Sequence, residues 1–398
     1  MTSLPSLVLT ILLWIVAIPA VLACGYLLLL TLLSAAPALP APSSRRLRFD
    51  VIVPAHNESA VILRTIASLQ KLDWPSDRWR LLVVADNCSD NTAALARGAG
   101  AVVLERFNDT QRGKGYAVAH AIADSRRDSW ADAVVVVDAD TEVSANLLEA
   151  YAARIERGAS AVQAHFGILN PMVNWRTRLI TIAAVAFHRV RSRARERLGV
   201  SCGIRGNGWC VTHRLLAEVP FECYSLTEDV EYGIKLGLAG YRVHYADECH
   251  ADAEMTTTAA TAASQRQRWE GGRFMLMRTM TGPALRAALF RPSKVCLDLA
   301  MDLLVLPLSY VALNAGALLV LGLFGLWLLA LPAIWAWLGL ACVGAIALHV
   351  LRGWQLSDTG SQGLLDLGRA PFFIAWKLVV MLSKRDGGWV RTEREPPA

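Results

Sequence analysis

Charge is scarce in this chain. Asp, Glu, Lys and Arg make up 19% of its 398 residues against 54% hydrophobic ones, and a mean hydropathy of +0.36 points to membrane segments rather than an oversized core. That balance excludes intrinsic disorder, which needs low hydrophobicity and high charge. The eight cysteines, at 24, 88, 202, 210, 223, 249, 296 and 342, include no CxxC pair, so a small disulfide scaffold is excluded and free thiols in a reducing compartment are expected. No GxGxxG follows the first strand-like run and no GxxxxGK[ST] occurs anywhere, which argues against dinucleotide-dependent redox chemistry and P-loop phosphoryl transfer. The formal charge of +6 comes from arginines clustered beside apolar stretches, with no nucleic-acid recognition module. That pattern suits anionic lipid headgroups or phosphorylated substrates.

What is present is apolar and segmented. Residues 7–33 carry no charge and exceed the roughly 20 residues needed to cross a bilayer. The run is too long for a cleaved signal and no Lys or Arg precedes it, so a retained transmembrane helix is predicted. Pro37, Pro40 and Pro42 stop it, and Arg45, Arg46 and Arg48 follow, which by the positive-inside rule places the next region in the cytoplasm. A second charge-free block runs from Leu303 to Leu351. As one helix it would be about 74 Å long, so two spans are predicted, 303–325 and 329–351, turning near Pro332. Asp366, Arg369 and Lys377 interrupt the segment 363–382, which is read as an interfacial or re-entrant helix, with a cytoplasmic tail over 384–398.

Residues 45–297 have the grammar of an α/β domain. Strand-like runs at 49–53, 80–85, 102–104 and 133–137 alternate with helix-like runs at 59–69, 93–98 and 115–124. The alternation predicts a mostly parallel sheet with helices on both faces, flanked by transmembrane helices. Such sheets bind ligands beyond the carboxyl ends of their strands. Polar clusters sit there: His56-Asn57-Glu58, Asp86-Asn87-Cys88-Ser89-Asp90, and Asp138-Ala139-Asp140.

Each cluster has an ordinary structural reading, since an acidic residue after a strand is often a turn former. Asp138 and Asp140 follow a run of four valines and can share a face or converge on one hard cation such as Mg2+ or Mn2+. Thr227-Glu228-Asp229 opens a helical stretch ending at Gly240, where Thr227 can cap and the acids favour the positive helix end. A base there needs burial or a neighbouring carboxylate to stay in a useful range. On a helix Gln265, Arg268 and Trp269 share one surface, offering a cation for phosphate and an aromatic platform for a sugar. The arginines between Pro171 and Gly199 flank an apolar run and are read either as a solvated helix face or as a surface helix snorkelling to headgroups.

In order and spacing, Val53-Pro54-Ala55-His56-Asn57-Glu58, Asp86, Gly113-Lys114-Gly115, Asp138-Ala139-Asp140, Thr227-Glu228-Asp229 and Gln265-Arg266-Gln267-Arg268-Trp269 strongly resemble the membrane-bound inverting glycosyltransferases of family two. That group contains the cellulose, chitin and hyaluronan synthases, and its domain fold is GT-A-like. The resemblance implies that Asp86 helps bind the nucleotide base, with Ala55, Glu58 and Lys114 completing the nucleotide pocket. Asp138 and Asp140 would form the DxD site for diphosphate and Mg2+ or Mn2+. Asp229, with Glu228 beside it, would be the general base, and Gln265, Arg268 and Trp269 the QxxRW element. In the segment 204–209, Gly206 and Gly208 would let the backbone approach the acceptor, with Asn207 and Trp209, beside Trp269, shaping its pocket.

The implied function is inverting transfer from a nucleotide-sugar, by family habit a UDP-sugar, to a lipid-linked or glycan acceptor at a bacterial inner membrane, in contact with membrane lipids and with the domain in the cytoplasm. The segment 204–209 lacks the Phe-Cys or Gly-Gly pattern of the large polymer synthases, and three spans are few to enclose a polysaccharide channel. Single transfer and processive β-polysaccharide synthesis both remain open. So do homo-oligomerisation and export partners, and a non-catalytic glycan-binding or assembly subunit is the rival from another class. Nucleic acid is not an expected partner.

Overall fold

The computed structural model describes residues 4–255 and 259–382, without the side chains of 259–264, 266–268 and 377–382. The chain opens with the long apolar helix α1 (Leu4–Leu32) and a proline-rich linker. It then enters the α/β region: β1 (Phe49–Ala55), α2 (Ile62–Leu69), β2 (Trp79–Asp86), α3 (Thr92–Gly98), β3 (Val102–Arg106), α4 (Lys114–Ser125), β4 (Ala133–Val136), β5 (Thr141–Val143) and α5 (Leu147–Ile155). Next come β6 (Ala161–Ile168), α6 (Trp175–Val185), a π-helical turn (Ala186–Val190), α7 (Arg191–Leu198), β7 (Trp209–Thr212), α8 (His213–Glu218), α9 (Glu228–Leu238) and β8 (His244–Ala253). The rest is helical: α10 (Ala259–Phe290), α11 (Lys294–Leu304), α12 (Leu308–Leu329), α13 (Ile334–Gln355), α14 (Gly360–Asp366), a 3-10 turn and α15 (Ala370–Leu382).

The eight strands form one sheet in the order β3-β2-β1-β4-β7-β6-β8-β5. The first four pair in parallel, as the alternation predicts. The expectation of a mostly parallel sheet fails beyond them. β7 runs antiparallel to both β4 and β6, and β5 runs antiparallel to β8, while β6 and β8 are parallel. The sheet is therefore mixed, its short strands β7 and β5 running against their neighbours. Period-two alternation splits the strands between two cores. Val51, Val53, Val135 and Val137 pack with Ile62, Ile66, Leu147 and Tyr151 on one face. Ile52, Val134 and Val136 pack with Val118, Ile122, Leu216 and Leu236 on the other.

Three described helices, α1, α12 and α13, are long and apolar enough to cross a membrane, and they share a core of Leu13, Leu27, Val311, Leu318 and Ile346. The chain is thus a multi-pass membrane protein with three candidate spans. The second begins at Leu308 rather than 303, because Leu303 and Leu304 close the separate helix α11 and Pro307 stands at the start of α12. The tail over 384–398 lies outside the described residues.

Three arginines of α7 fit neither reading made from the sequence, although Arg197 of the same helix is exposed. Arg191, Arg193 and Arg195 are 2%, 6% and 1% exposed, facing neither water nor headgroups. Arg193 and Arg189 grip Asp247, while Arg191 and Arg195 reach Asp302 on α11. A charged residue can be buried this way only when its partners are buried with it. The local sequence, whose only acid in α7 is Glu196, carries no sign of those partners.

Candidate active site

Sharp turns after β1 and β2 weave one wall of the site. Asn57 and Asn87 both adopt the left-handed conformation, with φ near 56° and 51°, which asparagine tolerates better than most side chains. The Asn57 side-chain oxygen accepts the Ser89 N–H at 2.7 Å, and that of Asn87 accepts the Asn108 N–H at 2.8 Å. The His56 ring lies 2.7 Å from the Asp86 carbonyl, and the Glu58 N–H donates to Thr92 at 2.8 Å. Asp86 is nearly buried and paired with Arg106 at 2.6 Å. Ala55 is buried beneath this wall. Arg106, absent from the sequence expectation, lies over the ring of Tyr116, which stacks on Tyr224 with centroids 4.2 Å apart.

The opposite wall starts where β4 ends. Asp138 and Asp140 fall in the turn after Val136, Asp140 almost buried and Asp138 half-buried. The Asp138 N–H donates to the Asn207 side-chain oxygen at 2.9 Å, while the Asn207 amide donates to Thr141 at 2.5 Å. Asn207 is fully buried, so in this structure it braces the Asp138 turn rather than lining an acceptor pocket. Trp209 departs further from expectation. It is 1% exposed and packs against Phe221 and Tyr232 in the core. It occupies an inward position of β7, and the period-two pleat leaves it no route to the cleft.

Lys114, at the start of α4, reaches across to join the walls. Its Nζ lies 2.6 Å from Asp138, 3.5 Å from Glu228 and 3.0 Å from the Gly206 carbonyl. Gly115 must be glycine here, since a Cβ would collide with the Cys223 carbonyl. Burial pulls the Lys114 ammonium down, but Asp138, Glu228 and Asp229 more than offset this and hold it above its usual range. Glu228 and Asp229 are nearly buried at the start of α9. Burial, opposed by Lys114, pushes Glu228 up to about 7 and raises Asp229 above the usual carboxylate range. Gly206 adjoins Asp229: a Cβ there would lie 3.7 Å from its Oδ2.

Thr227 occupies the N-cap position of α9, but its side chain makes no capping bond. It faces α10 instead, where a Cβ on Gly272 would come within 2.5 Å of it. That close approach sets α10, the helix that carries Gln265 and Trp269, against the start of α9. Trp269 is 42% exposed and Gln265 half-buried; the Arg268 side chain lies outside the described residues. Tyr224 and Leu226, just before Thr227, are also exposed.

Two residues that the sequence reading missed hold the site together. Gln163 in β6 accepts the Arg205 N–H at 2.9 Å and donates to the Asn207 carbonyl at 2.6 Å. Its only trace in the sequence is one amide within the apolar run Ala161-Val162-Gln163-Ala164. Arg205 itself reaches Asp302.

The model for glycosyl transferase family 2 matches residues 50–214, and that for glycosyl transferase family group 2 matches residues 133–382. The chain belongs to glycosyl transferase family group 2. A probable glycosyltransferase, YdaM of Bacillus subtilis, is 25% identical over 234 residues, covering 56% of this chain and 55% of that protein. A β-monoglucosyldiacylglycerol synthase of Synechocystis is 32% identical over 232 residues, covering 56% of this chain and 47% of that one. The chain thus spans about half the length of each of these relatives. A mannosyltransferase of Pyrobaculum calidifontis, solved with GDP-mannose and Mn2+, shares the fold at a TM-score of 0.54 and 16% identity, over 95% of this chain and 97% of that one.

The donor set suits the cation that the family implies. Among the described residues no group of three or more His, Cys, Asp or Glu side chains is arranged to hold a metal. Two turn carboxylates are nevertheless what Mg2+ or Mn2+ takes from a protein when phosphate oxygens and water complete its shell.

Proposed function

We propose that the protein is a metal-dependent inverting glycosyltransferase, moving a sugar from a nucleoside-diphosphate donor, a UDP-sugar by preference, to a lipid-linked acceptor. The observation that carries this reading is the gathering of Asp138, Glu228 and Asp229 around Lys114 beyond the carboxyl ends of β1 and β4. Asp86, Glu58 and Ala55 form the nucleotide side. Asp138 and Asp140 hold Mg2+ or Mn2+, which supplies positive charge to the diphosphate, and Lys114 adds its own charge beside them. Asp229 takes the proton from the acceptor hydroxyl. That oxygen then bonds to the anomeric carbon from the side opposite the diphosphate, the carbon–oxygen bond to the diphosphate breaks, and the configuration inverts. Burial raises the basicity of Asp229 and so favours its taking the proton, with Glu228 supporting it. Gln265, Arg268 and Trp269 flank the diphosphate and the acceptor.

A lipid-linked acceptor fits the exposed apolar rim of Tyr224, Leu226 and Trp269 and a site folded directly onto helices suited to a membrane. The α/β domain, 45–297, lies on the cytoplasmic side of a bacterial inner membrane, with α15 in the interface. A single sugar is added per acceptor. Mass spectrometry of products from a nucleotide-sugar panel with membrane lipid extract and Mn2+ tests this: one mass increment and release of nucleoside diphosphate are expected. A ladder of sizes would make the protein a processive synthase. Glycan binding without nucleotide release would make it a non-catalytic subunit and overturn the reading.

A further inference from the structure

The segment Arg205-Gly206-Asn207 is the hub of the proposed site. Its Gly206 carbonyl accepts from Lys114, its Asn207 side chain takes the Asp138 N–H, and Gly206 adjoins Asp229. Gln163 anchors the hub from below through the Arg205 N–H and the Asn207 carbonyl. The Arg205 side chain points away from the site. Its Nε donates to the Cys202 carbonyl at 2.9 Å, and its Nη2 lies 3.2 Å from Asp302 on α11.

Asp302 stands at the seam between the α/β domain and the membrane helices. Arg195 reaches the same carboxylate at 2.6 Å and Arg191 at 3.4 Å, while Arg273 of α10 donates to the Asp302 carbonyl at 2.5 Å. Tyr26 of α1 donates to Asp298 and accepts from Arg195, each at 2.7 Å. The Phe187 ring, carried by the π-helical turn, receives the guanidiniums of Arg191, Arg205 and Arg273 at 4.9, 4.5 and 5.5 Å from its centroid. Of these arginines only Arg205 belongs to the hub. Its charge is buried, so the position of Asp302 dictates where the hub can sit.

We propose that Arg205 and Asp302 are positioning residues for sugar transfer: the juxtamembrane helix α11 holds the Arg205-Gly206-Asn207 segment, and through it Asp138 and Lys114, in the reactive arrangement. Neither residue touches substrate. The inference rests on the transferase reading above. It makes turnover depend on how α1 and α11 seat against the domain, and therefore on the membrane bundle.

Full-length protein in lipid nanodiscs tests it through kcat, donor KM and the thermal midpoint. Arg205→Gln and Asp302→Asn should each lower kcat about ten- to hundredfold, with donor KM within about threefold because the nucleotide wall lies elsewhere. The double variant should lose little more than either single one, as expected of residues acting through one contact. Arg205→Lys, which keeps the charge, should recover part of the loss. Arg191→Met removes another guanidinium from Asp302 without touching the hub; it should lower the thermal midpoint and leave kcat within about twofold. Arg205→Gln at wild-type kcat, or Arg191→Met falling as far as Arg205→Gln, would overturn the inference. So would failure of all Arg205 and Asp302 variants to fold, which would make the pair purely structural. An inactive wild type would instead fail the transferase reading itself.

Discussion

Between Phe49 and Val136 the domain is built from apolar strands that alternate between two cores, and the polar groups near the site follow on strand ends, except Lys114 at the start of α4. Between Val185 and Asp302 the interior also holds Arg191, Arg193, Arg195 and Arg205, matched against Asp247, Asp298 and Asp302. The first region buries only separate ion pairs, Asp50 with Arg80 and Asp86 with Arg106, whereas the second buries a connected cluster of them. Apolar burial is nondirectional and tolerates sliding, whereas a buried ion pair is strongly destabilised when one partner moves away. The first region supplies a scaffold, and the second fixes how that scaffold meets the membrane helices.

The sharpest way to break this contrast is to remove the central acid. Asp302→Ala strands three guanidiniums and should cost about 3–5 kcal/mol, read as a fall in the denaturation midpoint. High salt should mimic it only weakly, because buried pairs are poorly screened. A cost near zero would mean that the seam is held by packing alone. Trp209→Ala probes the apolar core that the two regions share, where Trp209 packs with Val134 and Val136, and should cost a similar amount, about 3–5 kcal/mol, by opening a cavity. An unchanged midpoint there would contradict its placement in the core.

Smaller effects concern the acidic pair. Chelation of divalent cations should lower turnover about a hundredfold or more, restored by Mn2+; chelator-resistant turnover would remove the metal role from Asp138 and Asp140. With Asp229 and Glu228 both raised, kcat/KM should fall about tenfold per pH unit below an acid limb that lies above the ordinary carboxylate range. A limb near pH 4 would contradict the burial of the pair.

The smallest effect is on stability. A carboxyl whose folded value is raised stabilises fully below its unfolded value and loses that contribution as pH rises through the folded one. For Glu228, raised from 4.5 to about 7, the window runs between those values. Glu228→Gln should therefore gain on wild type by roughly 1–2 kcal/mol as pH goes from 5 to 7.5. Comparing the variant with wild type at each pH cancels the opposite trend of the buried His165 and His188, whose values burial lowers.

Much of the first region could be read from the sequence. The valine run before Asp138, the order of the acidic motifs and the alternation of strands with helices are local signals, and each element appears within a few residues of its predicted place. The antiparallel returns of β5 and β7 were hidden because short strands carry little pattern. The family resemblance sets Trp209 and Asn207 in an acceptor pocket, whereas in the structure the pleat of β7 buries the first and the Asp138 turn hydrogen-bonds the second. The arginine seam was hidden for a different reason. Its partners lie up to 169 residues away, as in the contact between Arg195 and Tyr26, and no spacing rule spans that distance.

The central claim is that Asp229 is the base in a site whose nucleotide side is independent of it. The most direct measurement compares Asp229→Asn with wild type in the same nanodiscs, taking donor affinity by calorimetry and turnover by nucleoside diphosphate release. Affinity within about threefold and turnover lower by about a hundred- to ten-thousandfold is the expected result. Near-normal turnover, or donor affinity lost together with turnover, would contradict it.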